Sequence, residues 1–157
     1  SLVDTHLEPS EVDVALDILR KNDFIPFENL ETESLMMLAH IIYPKIDNEV
    51  ATYSKKINKI IRKELLFKGL ILTDDISMKA LSDNLNMIIE KSYSAGCDVI
   101  LHCSGKLEEV KKFYANTKKI KKKYYDYFIN DILNLKLKKR NILNIKKILS
   151  SNNVIKN

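Results

Sequence analysis

The chain has 157 residues, 45% of them hydrophobic, which is enough for one domain with a core and too apolar for general disorder. No uninterrupted apolar run approaches the ~20 residues that span a bilayer, and no basic-then-apolar leader opens the chain, so a cytoplasmic protein is expected. The net charge of +5 hides a split: residues 1–105 carry 11 basic and 17 acidic side chains, whereas residues 106–157 carry 15 and 4.

Pro9-Ser10-Glu11 opens a helical pattern to about Lys21, with Val12, Leu16 and Leu19 roughly on one face. Asp23 to Leu30 is a second short amphipathic piece containing Pro26. The apolar run Leu35–Ala39 then ends at His40, and its length and aliphatic density suit a buried strand. Ser54 is placed to cap a helix to about Leu66, with Ile57, Ile60, Ile61 and Leu65 as its apolar stripe. Gly69 to Thr73 is the next strand. Leu70, Ile71 and Leu72 are continuous rather than alternating, as in a strand buried on both faces of a parallel sheet.

Asp83 or Asn84 starts the following helix, with Leu85, Ile88, Ile89 and Ser92 inward and Gly96 near its end. Asp98-Val-Ile-Leu-His102 is the third strand, and Ser104-Gly105 is a turn. Strands at a spacing of about 30 residues with helices between them have the length of βα units with right-handed crossovers. Both doubly wound sheets and (β/α)8 barrels are built this way. Residues 106–157 read as helical, with stripes at Leu107, Val110 and Tyr114, at Ile120, Tyr124, Tyr127 and Phe128, and at Ile142, Ile145, Ile148 and Leu149. The chain thus divides into an α/β part, 1–105, and a basic helical extension, 106–157. No nucleic-acid-binding motif accompanies the charge, so a solvated helical face is favoured over a nucleic-acid or anionic-surface binder. Cys97 and Cys103 stand six apart around one apolar run, too far along a straight strand for a disulfide, so both are expected as thiols.

Asp74 and Asp75 stand where the central strand ends. In parallel α/β folds ligands bind at that end. A carboxylate there serves as nucleophile, general base, metal ligand or helix cap. Adjacent residues on extended backbone point opposite ways, so one acid is expected to face the site while the other binds backbone or a neighbouring helix. In Asp4-Thr5-His6, residues i and i+2 of an extended loop lie on one side, so Asp4 is able to orient His6 and raise its basicity. His40 and His102 end strands as Asp74 does, but no two of these residues have close metal-ligand spacing, so no metal site is expected.

The segment Phe67-Lys-Gly-Leu-Ile-Leu-Thr-Asp-Asp-Ile-Ser-Met-Lys-Ala-Leu81 resembles the nucleophile segment of glycoside hydrolase family 3 β-N-acetylhexosaminidases. Asp4-Thr5-His6 is similar to their mobile Asp-Ser-His loop, Ala39-His-Ile-Ile-Tyr43 to their Ala-His-Val-Ile-Tyr strand end, and Ala95-Gly-Cys-Asp-Val-Ile-Leu101 to a later strand. The resemblance covers residues 2–105 and implies the second half of a (β/α)8 TIM barrel with three parallel strands. It implies Asp74 as nucleophile, His6 as acid/base and Asp4 as the residue that orients His6. His40 is expected at the substrate. The implied substrate is a glycan with terminal β-linked N-acetylglucosamine from peptidoglycan turnover, with no metal or organic cofactor. The family's sugar-binding Lys-His-x-Pro-Gly-His-Gly segment is absent, and a whole barrel takes about 250 residues. The chain is therefore expected to be part of a longer enzyme, or to associate with the missing N-terminal half of the barrel. The alternative is an inactive remnant or interaction piece.

Overall fold

Three apolar runs become neighbouring strands of one parallel sheet. The computed structural model describes residues 10–30, 33–122, 124–126 and 129. In chain order the elements are β1 (Ser10–Glu11), α1 (Leu16–Lys21), β2 (Leu35–Leu38), β3 (Ile41–Tyr43), β4 (Asp47–Val50), α2 (Lys55–Lys63), β5 (Leu70–Asp75), α3 (Leu85–Ala95), β6 (Val99–Leu101) and α4 (Leu107–Asn116). The larger sheet has the order β2-β5-β6, with both pairings parallel. β5 is central, and the outer edges of β2 and β6 have no strand partner among the described residues.

Burial follows the alternation of strand side chains. Met36, Leu38, Ile71 and Thr73 share one face of the β2–β5 pair, and Ile71 is fully buried among Leu38, Ile57, Ile61, Phe67 and Cys97. Burying one such aliphatic side chain contributes roughly 2 kcal/mol. On the other face of the edge strand, Leu35 and Met37 are 46% and 54% exposed. A second cluster joins α3 to β6 and to the segment just after β5 through Ile76, Leu81, Ile88, Ile89 and Ile100, with Phe113 of α4 packed against it.

Several boundaries differ from the expectations. Ser10 and Glu11 are not helical; they pair in parallel with Ile41 and Ile42, and the Val12 amide donates to the Ile42 carbonyl at 2.9 Å. The helix begins only at Leu16, so a tertiary partner overrides the local apolar spacing. β3 and β4 form an unanticipated antiparallel pair. α2 stops at Lys63 rather than near Leu66, and Leu66 has φ 54°. Ser54 does cap α2: its hydroxyl oxygen accepts from the Ile57 amide at 3.1 Å and donates to Asp47 at 2.8 Å. Asn84, the other expected cap, accepts from the Met87 amide at 3.0 Å, and Gly96 ends α3 at φ 110°. Of the helices expected beyond α4, residues 122, 124–126 and 129 are helical, while Tyr127, Phe128 and the Ile142–Leu149 stripe lie outside the described residues.

Candidate active site

The central strand carries both acids at its end. β5 extends through Asp75, two residues beyond the expected Thr73. Its register against β6 shifts there: Leu72 faces Val99, but Asp75 faces Leu101. Thr73 and Asp74 therefore occupy a length that β6 covers with Ile100 alone, which makes a β-bulge. Bulges bend a strand and re-aim its side chains. The buried Thr73 hydroxyl accepts the Leu101 amide at 3.0 Å, and the Ile76 amide donates to the Leu101 carbonyl at 2.9 Å.

The two acids have separate surroundings, as the alternation of an extended backbone requires. Asp75 is half-buried, but its carboxylate is fully engaged. Its carboxylate accepts from the Ser77 amide at 3.0 Å, the Ser77 hydroxyl at 2.6 Å and the Cys103 amide at 2.9 Å. Burial pushes its pKa upward, but the bonds from Ser77 and Cys103 and the charge of His102 outweigh burial and hold it below the ordinary carboxylate value. Asp74 is half-buried, and Oδ1 accepts from the Asp75 amide at 2.8 Å.

His40 meets this segment from the bend just after β2. It is 0% exposed, as is Thr52. Its Nε2 lies 3.1 Å from the Asp75 carbonyl oxygen and its Nδ1 lies 2.7 Å from the Thr52 hydroxyl. A carbonyl only accepts, so Nε2 carries the proton, and a neutral ring then accepts from Thr52 through Nδ1. Burial lowers the His40 pKa despite the Asp75 carbonyl and the nearby charges of Asp74 and Asp75. Direct sugar binding by His40, expected from the sequence, has no free ring nitrogen in this arrangement. The ring reaches the site through the Asp75 backbone instead. His102, just after β6, stacks on Phe113 with centroids 5.1 Å apart, and its Nδ1 is buried with no hydrogen-bond partner among the described residues.

Asp4 and His6, the expected acid/base pair, lie outside the described residues. No group of three or more His, Cys, Asp or Glu side chains able to hold a metal occurs among the described residues. An apolar cavity of 240 Å³ opens between Phe24, Phe27, β2 and α2, and its walls carry no acid. Thr52, Thr73 and Ser77 are part of the site's framework and were not singled out from the sequence. Thr73 adjoins Asp74 within the matched motif, but Thr52 is distant in sequence and carries no local signal.

The glycosyl hydrolase family 3 N-terminal domain model matches residues 1–135. The chain belongs to this family. A Stenotrophomonas maltophilia (strain K279a) protein named beta-hexosaminidase is 39% identical over 111 residues, covering 68% of this chain and 33% of the relative. A Neisseria gonorrhoeae (strain NCCP11945) protein of the same name is 34% identical over 106 residues, covering 64% of this chain and 29% of the relative. Among solved structures, native NagZ from Neisseria gonorrhoeae superposes with TM-score 0.68 at 27% identity, over 81% of this chain and 37% of that one. Zinc-bound CbsA from Thermotoga neapolitana gives TM-score 0.69 at 27% identity, over 83% and 32%. The chain spans about a third of the length of the curated relatives it matches. The domain of family 3 is of the TIM-barrel type, and the parallel β2-β5-β6 sheet of this chain accords with part of such a barrel.

Proposed function

We propose that this family 3 chain is the later part of the catalytic barrel of a retaining β-N-acetylhexosaminidase. The reading is carried by one observation: Asp74 stands half-buried on a β-bulge at the carboxyl end of the central parallel strand, in a chain matched by the family model. Relatives named beta-hexosaminidase support the substrate class.

In this reading Asp74 attacks the anomeric carbon of a terminal β-linked N-acetylglucosamine while His6 protonates the departing oxygen. The covalent glycosyl-enzyme then forms on Asp74. His6, oriented by Asp4, deprotonates a water that attacks the same carbon and releases Asp74. Two displacements at one centre retain its configuration. Asp75 takes no part in the chemistry, since its carboxylate is engaged with Ser77 and Cys103. The substrate is a glycan from peptidoglycan turnover, handled in the cytoplasm. No helix among the described residues is long and apolar enough to cross a membrane. The two sheet edges left without a strand partner among the described residues call for the rest of the barrel, which also supplies most of the sugar pocket.

The test is hydrolysis of an aryl N-acetyl-β-glucosaminide by this chain and by a form extended upstream to the relatives' full length. Turnover by the extended form, abolished by Asp74→Asn, is the expected result. Retained turnover in Asp74→Asn overturns the nucleophile assignment, and no turnover by the extended form overturns the activity.

A further inference from the structure

We propose that His40, its ring held in place by Thr52, is a positioning residue that sets the direction of Asp74. This rests on reading Asp74 as the nucleophile and adds the groups that aim it.

β2 ends at Leu38, directly opposite Thr73. Beyond that point β5 has lost its main-chain neighbour on the β2 side, just where the bulge loosens the ladder on the β6 side. The His40 ring supplies the missing contact. Its Nε2–H holds the Asp75 carbonyl at 3.1 Å, while Leu101 holds the Ile76 amide at 2.9 Å. These are the two ends of a single peptide unit, so its plane is pinned from both sides, by the bend after β2 and by β6. The Asp75 amide, one residue earlier, donates to Asp74 Oδ1 at 2.8 Å. On the other side of Asp74, the Thr73 hydroxyl takes the Leu101 amide at 3.0 Å. Asp74 is thereby held between two anchored residues.

An imidazole has two neutral tautomers, and the Asp75 carbonyl, which only accepts, selects the one with the proton on Nε2. Thr52 matters because its hydroxyl then donates to Nδ1 at 2.7 Å and holds the ring in that orientation. Thr52 is itself fixed, since its carbonyl receives the buried Cys97 thiol at 3.6 Å. Both His40 and Thr52 are excluded from solvent, so water is not at hand to replace a lost bond.

The test begins with amide hydrogen exchange in the 157-residue chain. His40→Leu and Thr52→Val are expected to speed exchange at Asp75 and Ile76 on the order of tenfold, as loss of a hydrogen bond implies. Ile71 and Leu72 of the same strand should change little. Thr52→Ser keeps the hydroxyl and His40→Gln keeps a donor near Nε2, so both should restore the slow rates. If His40→Leu fails to fold, the nearly isosteric Thr52→Val decides. A uniform rise along β5 and α3 would mean only a structural role and overturns the proposal, as does no rise at the bulge.

The upstream-extended form gives the second readout. There Thr52→Val should lower kcat by about tenfold or more with little change in KM, and Thr52→Ser should recover it. Unchanged kcat in Thr52→Val overturns the positioning role. Retained turnover in Asp74→Asn is a separate result, which removes the nucleophile reading without altering the exchange pattern.

Discussion

Arg62 Nη2 and Asp98 Oδ2 meet at 2.6 Å at the end of the sheet opposite Asp74. Arg62 Nη1 also donates to the carbonyls of Phe67 at 3.0 Å and Gly69 at 2.7 Å, and Asp98 Oδ2 accepts the Ile71 amide at 3.0 Å. One guanidinium therefore ties the end of α2 to the starts of β5 and β6. The pair is mostly enclosed, with side chains 20% and 10% exposed, so removing one partner strands the other. Arg62→Met is expected to cost about 3 kcal/mol in denaturant unfolding. Asp98→Asn retains an acceptor and should cost less.

Gly69 precedes β5 where no side chain fits. A Cβ there would press on the Glu33 carbonyl and lie 2.5 Å from the Ser34 carbonyl oxygen. Backbone atoms yield only by moving β2 away from β5. Gly69→Ala is predicted to destabilise by roughly 3 kcal/mol, measured as a lowered urea midpoint. An equal midpoint for the two proteins would contradict the close approach.

His40 makes folding depend on pH near neutrality. Its folded pKa lies below the ordinary value near 6.5, because burial disfavours the charged ring. Between those two values the unfolded chain binds the proton and the folded chain does not. The His40 contribution should therefore diminish as pH falls below about 6.5 and level off below the folded pKa. Comparing unfolding free energies of the chain and His40→Gln from pH 8 to about pH 5 isolates that slope.

Asp74 and Asp75 should separate by phenotype. Asp75→Ala removes the acceptor of three hydrogen bonds that close the turn at Ser77 and the approach of Cys103. It is expected to destabilise by about 2 kcal/mol. The folded pKa of Asp75 is depressed, so its stabilisation is present above the unfolded value and is lost as pH falls through the folded one. Asp74→Asn keeps an oxygen for the Asp75 amide, so its unfolding midpoint should barely move while turnover by the extended form disappears.

The two cysteines should react very differently. Cys97 is buried, and burial pushes its thiol up to about 12. Cys103 is exposed, although burial and the charges of Asp75 and Asp74 raise its pKa as well. Under native conditions one thiol per chain should react readily with a disulfide reagent, and two after unfolding. Cys103→Ser should abolish the native reaction.

Much of the framework was readable locally. Leu35–Leu38, Leu70–Leu72 and Val99–Leu101 are short apolar runs between polar or turn residues, and each became a strand of the parallel sheet. Ser54, Asn84 and Gly96 mark helix ends through their own backbone chemistry. β4 was not legible, because Asp47–Val50 is largely polar and becomes a strand only against β3. Ser10 and Glu11 misled for the same reason: Ile41 and Ile42 supply the pairing that converts them from helix to strand.

The sequence by itself determined the three parallel strands, the placement of two acids at the end of the central one, and the motifs that mark family 3. Tertiary structure alone decided which acid is engaged, where the bulge falls and which groups the His40 ring meets. The physical reason is range. Periodicity and caps act over a few neighbours, whereas His40 reaches Thr52 across 12 residues and Asp75 across 35. Such bonds form only after the strands that carry their ends have paired.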